Sequence, residues 1–165
     1  SLPIMLYNIP GRTGINLEPE TIAKLAQIKN IKAIKEAAGS VSQISEIRKL
    51  TPQEFEIFSG DDALTLEFME EGAKGVVSVA SHIVGNQMKK MITEFKNEKK
   101  SEAYKIYNYL KPIFNVLFIS SNPVPLKACL NIIGKEVGET RLPLVSLENR
   151  ELHQVKSMLE NYKLI

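Results

Sequence analysis

Cysteine is almost absent from this chain of 165 residues, where Cys129 stands alone. An intrachain disulfide is therefore excluded. A single thiol within the apolar run from Leu126 to Ile133 reads as a buried side chain rather than a reactive one. Histidine is scarce as well, with two, and neither lies close to Cys129, so no metal-ligand spacing is visible. Excess charge of one sign is also missing. The 21 basic and 19 acidic side chains leave a net charge of +2. That balance argues against a nucleic-acid footprint and leaves a small anionic substrate open. No apolar stretch reaches membrane-spanning length, and no basic leader with a small-residue cleavage site precedes the first apolar run. The expected compartment is cytoplasmic. A glycine-rich phosphate fingerprint is lacking too, because Gly11-Arg12-Thr13-Gly14 does not have its spacing.

What is present is a pattern. Hydrophobic residues make up 44% and charged residues 24%, the profile of a globular domain that buries a sizeable core. The chain begins directly in an apolar run, Leu2 to Tyr7, which raises the expectation that something upstream is missing. Short apolar strands are expected at 4–8, 31–37, 55–58 and 75–79. Each is followed by a loop and an amphipathic helix, at 17–29, 41–50, 63–71 and 83–96, with Asp62 capping the third. Beyond Lys100 the strands stop. Helices are expected at 101–118, kinked or broken near Pro112, at 122–134, and at 147–162 with Ser146 as N-cap. Four strand–helix units with parallel strands and right-handed crossovers make an α/β fold and half of a (β/α)8 TIM barrel. The domains expected are a half barrel over 1–98 and a three-helix extension over 99–165.

The stretch Ile31-Lys32-Ala33-Ile34-Lys35-Glu36-Ala37-Ala38-Gly39 carries the chemistry. Strand side chains alternate, so Ala33, Lys35 and Ala37 share a face, and two small neighbours leave room around an amine. A lysine aimed into such a space loses hydration and becomes available as a nucleophile. A solvated lysine snorkelling from a strand end is the bland alternative. In barrels, chemistry sits at the C-terminal strand ends, which here carry Tyr7-Asn8, Lys35-Glu36, Gly60-Asp61 and Val77-Ser78. Tyr7 beside Lys35 would make a proton shuttle next to a nucleophile, or else a core aromatic with a satisfied hydroxyl. Arg12, on the loop after Tyr7, offers a fork for a carboxylate, or is a surface loop residue. Together they describe Schiff-base formation between Lys35 and a 2-oxo acid.

At this point a family resemblance enters. Tyr7-Asn8-Ile9-Pro10-Gly11-Arg12-Thr13-Gly14, Ile34-Lys35-Glu36-Ala37-Ala38-Gly39, Ser59-Gly60-Asp61-Asp62 and Gly75-Val76-Val77-Ser78-Val79 resemble consecutive motifs of the 4-hydroxy-tetrahydrodipicolinate (dihydrodipicolinate) synthases. Asn122-Pro123-Val124-Pro125-Leu126-Lys127 and Arg141-Leu142-Pro143-Leu144 resemble that family's C-terminal helical domain. The resemblance implies a lyase of lysine and diaminopimelate biosynthesis in which pyruvate forms an imine on Lys35, with no separate cofactor and no metal. It implies that the enamine attacks aspartate semialdehyde. Tyr7 would carry the proton, the Val77 carbonyl would hold pyruvate, Arg12 would receive the second substrate's carboxylate, and Gly60 would lie at the substrate pocket. Sibling aldolases such as N-acetylneuraminate lyase keep the tyrosine and lysine but typically lack the arginine, which favours the synthase. The first half of the family's barrel is absent, so the expectation is a C-terminal portion, barrel units five to eight, of limited activity alone. The missing N-terminal half-barrel and other copies of the enzyme, which forms homo-oligomers, are the partners implied; nucleic acid and membrane are not. A non-catalytic half-barrel that acts as an assembly module is the reading from another class, since four parallel strands leave unpaired edges.

Overall fold

The computed structural model describes Leu2–Ile165. Three strands, β1 (Ile4–Asn8), β2 (Ile31–Glu36) and β3 (Glu56–Ser59), form a parallel sheet in the order β1-β2-β3. Ile31, Ala33, Ile34 and Ile57 are their buried apolar positions, as expected where crossover helices cover a sheet. The register sets Tyr7 opposite Lys35 and Asn8 opposite Glu36, then Lys35 opposite Phe58 and Glu36 opposite Ser59. The fourth expected strand is reduced to a bridge between Ser59 and Val76. Backbone bonds still hold it along β3: Lys74 N donates to the Ile57 carbonyl (2.7 Å), Ser59 N to Gly75 (2.8 Å), and Val77 N to Ser59 (2.8 Å). The segment is in place, but too short a stretch pairs for a regular strand.

Helices α1 (Pro10–Thr13), α2 (Pro19–Ala26), α3 (Val41–Leu50) and α4 (Thr65–Glu70) alternate with the strands. The loop expected after β1 contains the single turn of α1, with Pro10 at its first position, where a missing N–H is harmless. Helix α3 begins where Ser40 accepts from Gln43 N at 3.2 Å, a regular side-chain N-cap. Helix α4 corrects the expected cap: its N-cap is Leu64, and it starts two residues later than the sequence suggests. Asp61 shapes the approach instead, its carboxylate accepting from Ala63 N at 2.7 Å and its carbonyl from the Thr65 hydroxyl at 3.0 Å. Ile22, Ile34, Ile44, Ile47 and Ile57 are fully enclosed and pack the sheet to its helices.

The chain divides into two compact units between Ser78 and Val79. The second contains α5 (Ser81–Lys96), α6 (Lys100–Val116), α7 (Val124–Ile132) and α8 (Asn149–Asn161). By compactness the division falls earlier than the expected boundary after residue 98, because α5 packs against α6. Helix α5 is kinked at Val84 (φ −129°, ψ 36°). Helix α6 runs through Pro112 to Val116 rather than breaking there, giving up one backbone hydrogen bond within the helix. The start of α8 corrects another expected cap. Glu148 and Glu151 form a reciprocal capping box, so Ser146 is not needed. Cys129 is fully buried, and burial pushes its thiol up to about 11, in keeping with an inert side chain. Among the described residues no helix is long and apolar enough to cross a membrane.

Candidate active site

Each strand end is tied to the next by one backbone bond at the same level. Ala37 N donates to the Asn8 carbonyl (2.9 Å), Gly60 N to Glu36 (2.7 Å), and Val77 N to Ser59 (2.8 Å). Tyr7 and Lys35 therefore stand level at the C-terminal edge of the sheet, and Gly60 and Val77 lie level with each other two residues further along the same edge. Lys35 Nζ lies over the Tyr7 ring, 3.9 Å from its centroid, within the range of a cation–π contact. Tyr7 is 51% exposed and Val77 39%, while Lys35 is half-buried, so this face is open. Met5, on the same side of β1 as Tyr7, is exposed as well.

Gly60 has a steric reason to be glycine. A Cβ there would lie 2.7 Å from Ala37 Cβ, 3.1 Å from the Glu36 carbonyl oxygen and 3.1 Å from Lys35 Cε. Ala37 and Lys35 thus meet at one point, as their shared strand face requires, and the bare glycine leaves the lysine its path. Arg12 is exposed on α1, four residues beyond Asn8. Four of the five expected site residues share the edge of the sheet, and Arg12 follows from the helix directly after β1.

Behind Tyr7 and Lys35 lies a set of residues that the sequence reading passed over. Asn8 and Glu36 point to the opposite, helix-covered face, where they are 3% and 0% exposed. Asn8 Nδ2 donates to both Glu36 oxygens, at 3.1 and 3.0 Å. Glu36 Oε1 also accepts from Ala38 N (2.7 Å), and Oε2 from Gln43 Nε2 (3.2 Å). Asn8 Oδ1 accepts from Leu17 N (3.0 Å), and Asn8 Nδ2 also donates to Asn16 Oδ1 (2.8 Å). Asn16 and Gln43 close the ring with bonds of 2.9 and 3.2 Å. Removal from water raises the Glu36 carboxyl above its ordinary value, against the lowering pull of Asn8, Ala38, Gln43 and Ala37. A signal for this network existed: Glu36 and Asn8 are polar at positions where alternation places the enclosed face. Among the described residues no group of three or more His, Cys, Asp or Glu could hold a metal.

Parallel strands joined through helices, with Tyr7 and Lys35 at their C-terminal ends, define an α/β protein of the barrel class. The Dihydrodipicolinate synthetase family matches residues 1–162. The 4-hydroxy-tetrahydrodipicolinate synthase of Desulforamulus reducens is 52% identical over 166 residues, which cover 100% of this chain and 56% of that protein. That of Nostoc punctiforme is 52% identical over 164 residues, covering 99% and 56%. Among solved structures, the synthase from Cyanidioschyzon merolae with lysine bound superposes with a TM-score of 0.96 at 44% identity, over 99% of this chain and 56% of that one. The Thermotoga maritima dihydrodipicolinate synthase gives 0.95 at 36% identity, over 99% and 57%. The chain belongs to the dihydrodipicolinate synthetase family and has the α/β fold of its barrels. It spans a little over half the length of these relatives. The expectation of a C-terminal portion, barrel units five to eight, is not matched by these comparisons and is withdrawn: they establish a share of the relatives' length, and the regular sheet has three strands rather than four.

Proposed function

We propose that this chain is the lysine-bearing part of a 4-hydroxy-tetrahydrodipicolinate synthase, and that Lys35 is its Schiff-base residue. The observation that carries this reading is the amine of Lys35 set over the Tyr7 ring at the C-terminal edge of the sheet. The Lys35 nitrogen attacks the C2 carbonyl of pyruvate, a C–N bond forms, and the carbonyl oxygen leaves as water. Loss of a C3 proton gives the enamine, whose carbon bonds to the aldehyde carbon of aspartate semialdehyde. Attack of the substrate amine on C2 closes the ring and releases Lys35. Tyr7 moves the proton at the imine, and the Val77 backbone carbonyl holds pyruvate. The Arg12 guanidinium takes the semialdehyde carboxylate as a bidentate pair. Gly60 serves by absence, leaving the lysine its path.

The partners are pyruvate, aspartate semialdehyde, further copies of the enzyme and the remainder of the barrel. In this reading residues 1–98 contribute to the barrel and residues 99–165 form its helical extension. The open face of β1, where Met5 is 46% and Tyr7 51% exposed, supports an occupant from the rest of the barrel. The test is reduction with sodium borohydride in the presence of pyruvate, followed by peptide mass mapping. It is run on the chain alone and on the chain together with the remaining barrel. A pyruvate-derived mass on the Lys35 peptide, more abundant when the barrel is complete, is the expected result. An adduct on another lysine, or none in the complete protein, overturns the assignment.

A further inference from the structure

Two pairs of neighbours sit back to back at the ends of β1 and β2. Tyr7 and Lys35 occupy the open face, and Asn8 and Glu36 the enclosed one, in the same parallel register. We propose that Asn8 and Glu36 are positioning residues for the Schiff-base lysine, clamping the two strand ends so that Lys35 Nζ stays over the Tyr7 ring. The inference rests on the assignment of Lys35 to imine formation.

The reasoning starts from donors and acceptors. Asn8 Nδ2 bridges to both Glu36 oxygens directly behind the Tyr7–Lys35 pair, so the strand ends are joined by side chains as well as by the ladder. The clamp reaches further than β1 and β2. Leu17 and Asn16 bring in the segment after α1, Ala38 the turn after β2, and Gln43 the first turn of α3. The Glu36 carboxylate accepts from the N–H groups of Asn8, Ala38 and Gln43, all of them uncharged. A pair built only for stability could be replaced by apolar side chains of similar volume. This one keeps an enclosed carboxyl at the residue next to the nucleophile, where a shift of either backbone moves the amine or the phenol.

Polarity in the network runs one way. The Leu17 N–H fixes Asn8 Oδ1, which forces the Asn8 amide nitrogen toward Glu36. A glutamine at position 36 would set a donor against donors, because an amide has one acceptor oxygen where a carboxyl has two. Turning Gln43 to meet it would set Gln43 against Asn16, and turning Asn16 would set it against Asn8. No set of amide turns restores the ring. Exchanging the pair, with Asn8→Asp and Glu36→Gln together, does not restore it either: Asn16 would have to turn over, yet its Nδ2 donates to Glu18 Oε1 at 2.9 Å, and the turned amide would set oxygen against that carboxylate.

The test uses the complete enzyme and measures the borohydride trapping rate per folded molecule against pyruvate concentration. Glu36→Gln is expected to lower the maximal rate roughly tenfold to a hundredfold, as for misplacement by up to about 1 Å. The pyruvate concentration at half-maximal rate should change much less. Should Glu36→Gln fail to fold, Gln43→Ala, which removes one bond to the carboxylate, should still show a fall in maximal rate. Trapping in the wild type together with an unchanged maximal rate in folded Glu36→Gln, or in Gln43→Ala where Glu36→Gln does not fold, overturns the inference alone. So does a fall in trapping carried entirely by a higher pyruvate concentration at half-maximal rate, with the maximal rate unchanged. Absence of any Lys35 adduct in the wild type overturns the site assignment and this inference with it.

Discussion

The two faces of the same strand ends differ in almost everything except position. On the open face, Tyr7 is half exposed and carries the Lys35 amine above its ring. On the enclosed face, one residue further along each strand, Asn8 and Glu36 are buried within a closed ring of hydrogen bonds. Alternation separates the two faces over a single residue step, and in the proposed reading chemistry takes the open side and alignment the side of the helices. A side chain that must meet substrate cannot also be locked, so the locking falls to its neighbour. This division can be broken from either side, and the consequences should be unequal.

The largest effect on stability is expected from Asn8→Ala. It strips two bonds from the buried Glu36 carboxylate and leaves Leu17 N–H without its acceptor. Buried groups left unsatisfied cost about 1–3 kcal/mol each, so a loss of about 3 kcal/mol is expected in urea unfolding. Its neighbour Tyr7 supplies the contrast. Tyr7→Ala on the open face should change stability by no more than about 0.5 kcal/mol while slowing imine trapping. Equal losses from the two substitutions would show that the faces are not divided as described. A smaller effect is expected from Gly60→Ala, whose new methyl meets Ala37 Cβ and Lys35 Cε. Overpacking of this kind costs about 1–3 kcal/mol. Because the lysine lies on one side of the clash, the trapping rate should fall together with the melting temperature.

The open face was the legible one. Lys35 between Ala33 and Ala37, at the end of a short apolar strand, marks itself by contrast with its neighbours, and Tyr7 falls level with it once the strands are parallel. Gly60 was legible as a position, but its reason is a distance to Ala37 and Lys35 that spacing does not contain. The enclosed ring was hidden because its members come from β1, the segment after α1, β2 and α3, and polar residues of this kind usually read as loop chemistry. Caps were misplaced for a related reason. Asp62 and Ser146 are good capping residues by type, yet helix starts are set by backbone geometry: Asp61 shapes the approach to α4, and Glu148 caps α8 together with Glu151. The fourth strand was right in place and wrong in kind, since only Ser59 and Val76 form a bridge.

The smallest and most specific expectation concerns pH. Removal from water raises the Glu36 carboxyl above its ordinary value of 4.5, outweighing the hydrogen bonds from Asn8, Ala38, Gln43 and Ala37. In the window from 4.5 up to that raised value, the folded protein holds a proton that the unfolded chain has released. Stability contributed by Glu36 is therefore fully present below 4.5 and is lost as pH rises through the folded value. Protonation leaves the ring intact, since each oxygen of a carboxylic acid still accepts, whereas an amide nitrogen does not. Unfolding free energies of the wild type and of Glu36→Gln, measured from pH 4 to pH 8, should differ most at the acid end. The wild-type advantage should shrink as pH rises and level off above the window. A gap that widens with pH would mean that the donors of the ring, and not removal from water, govern this carboxyl; the anion would then be the form that the enclosed face stabilises.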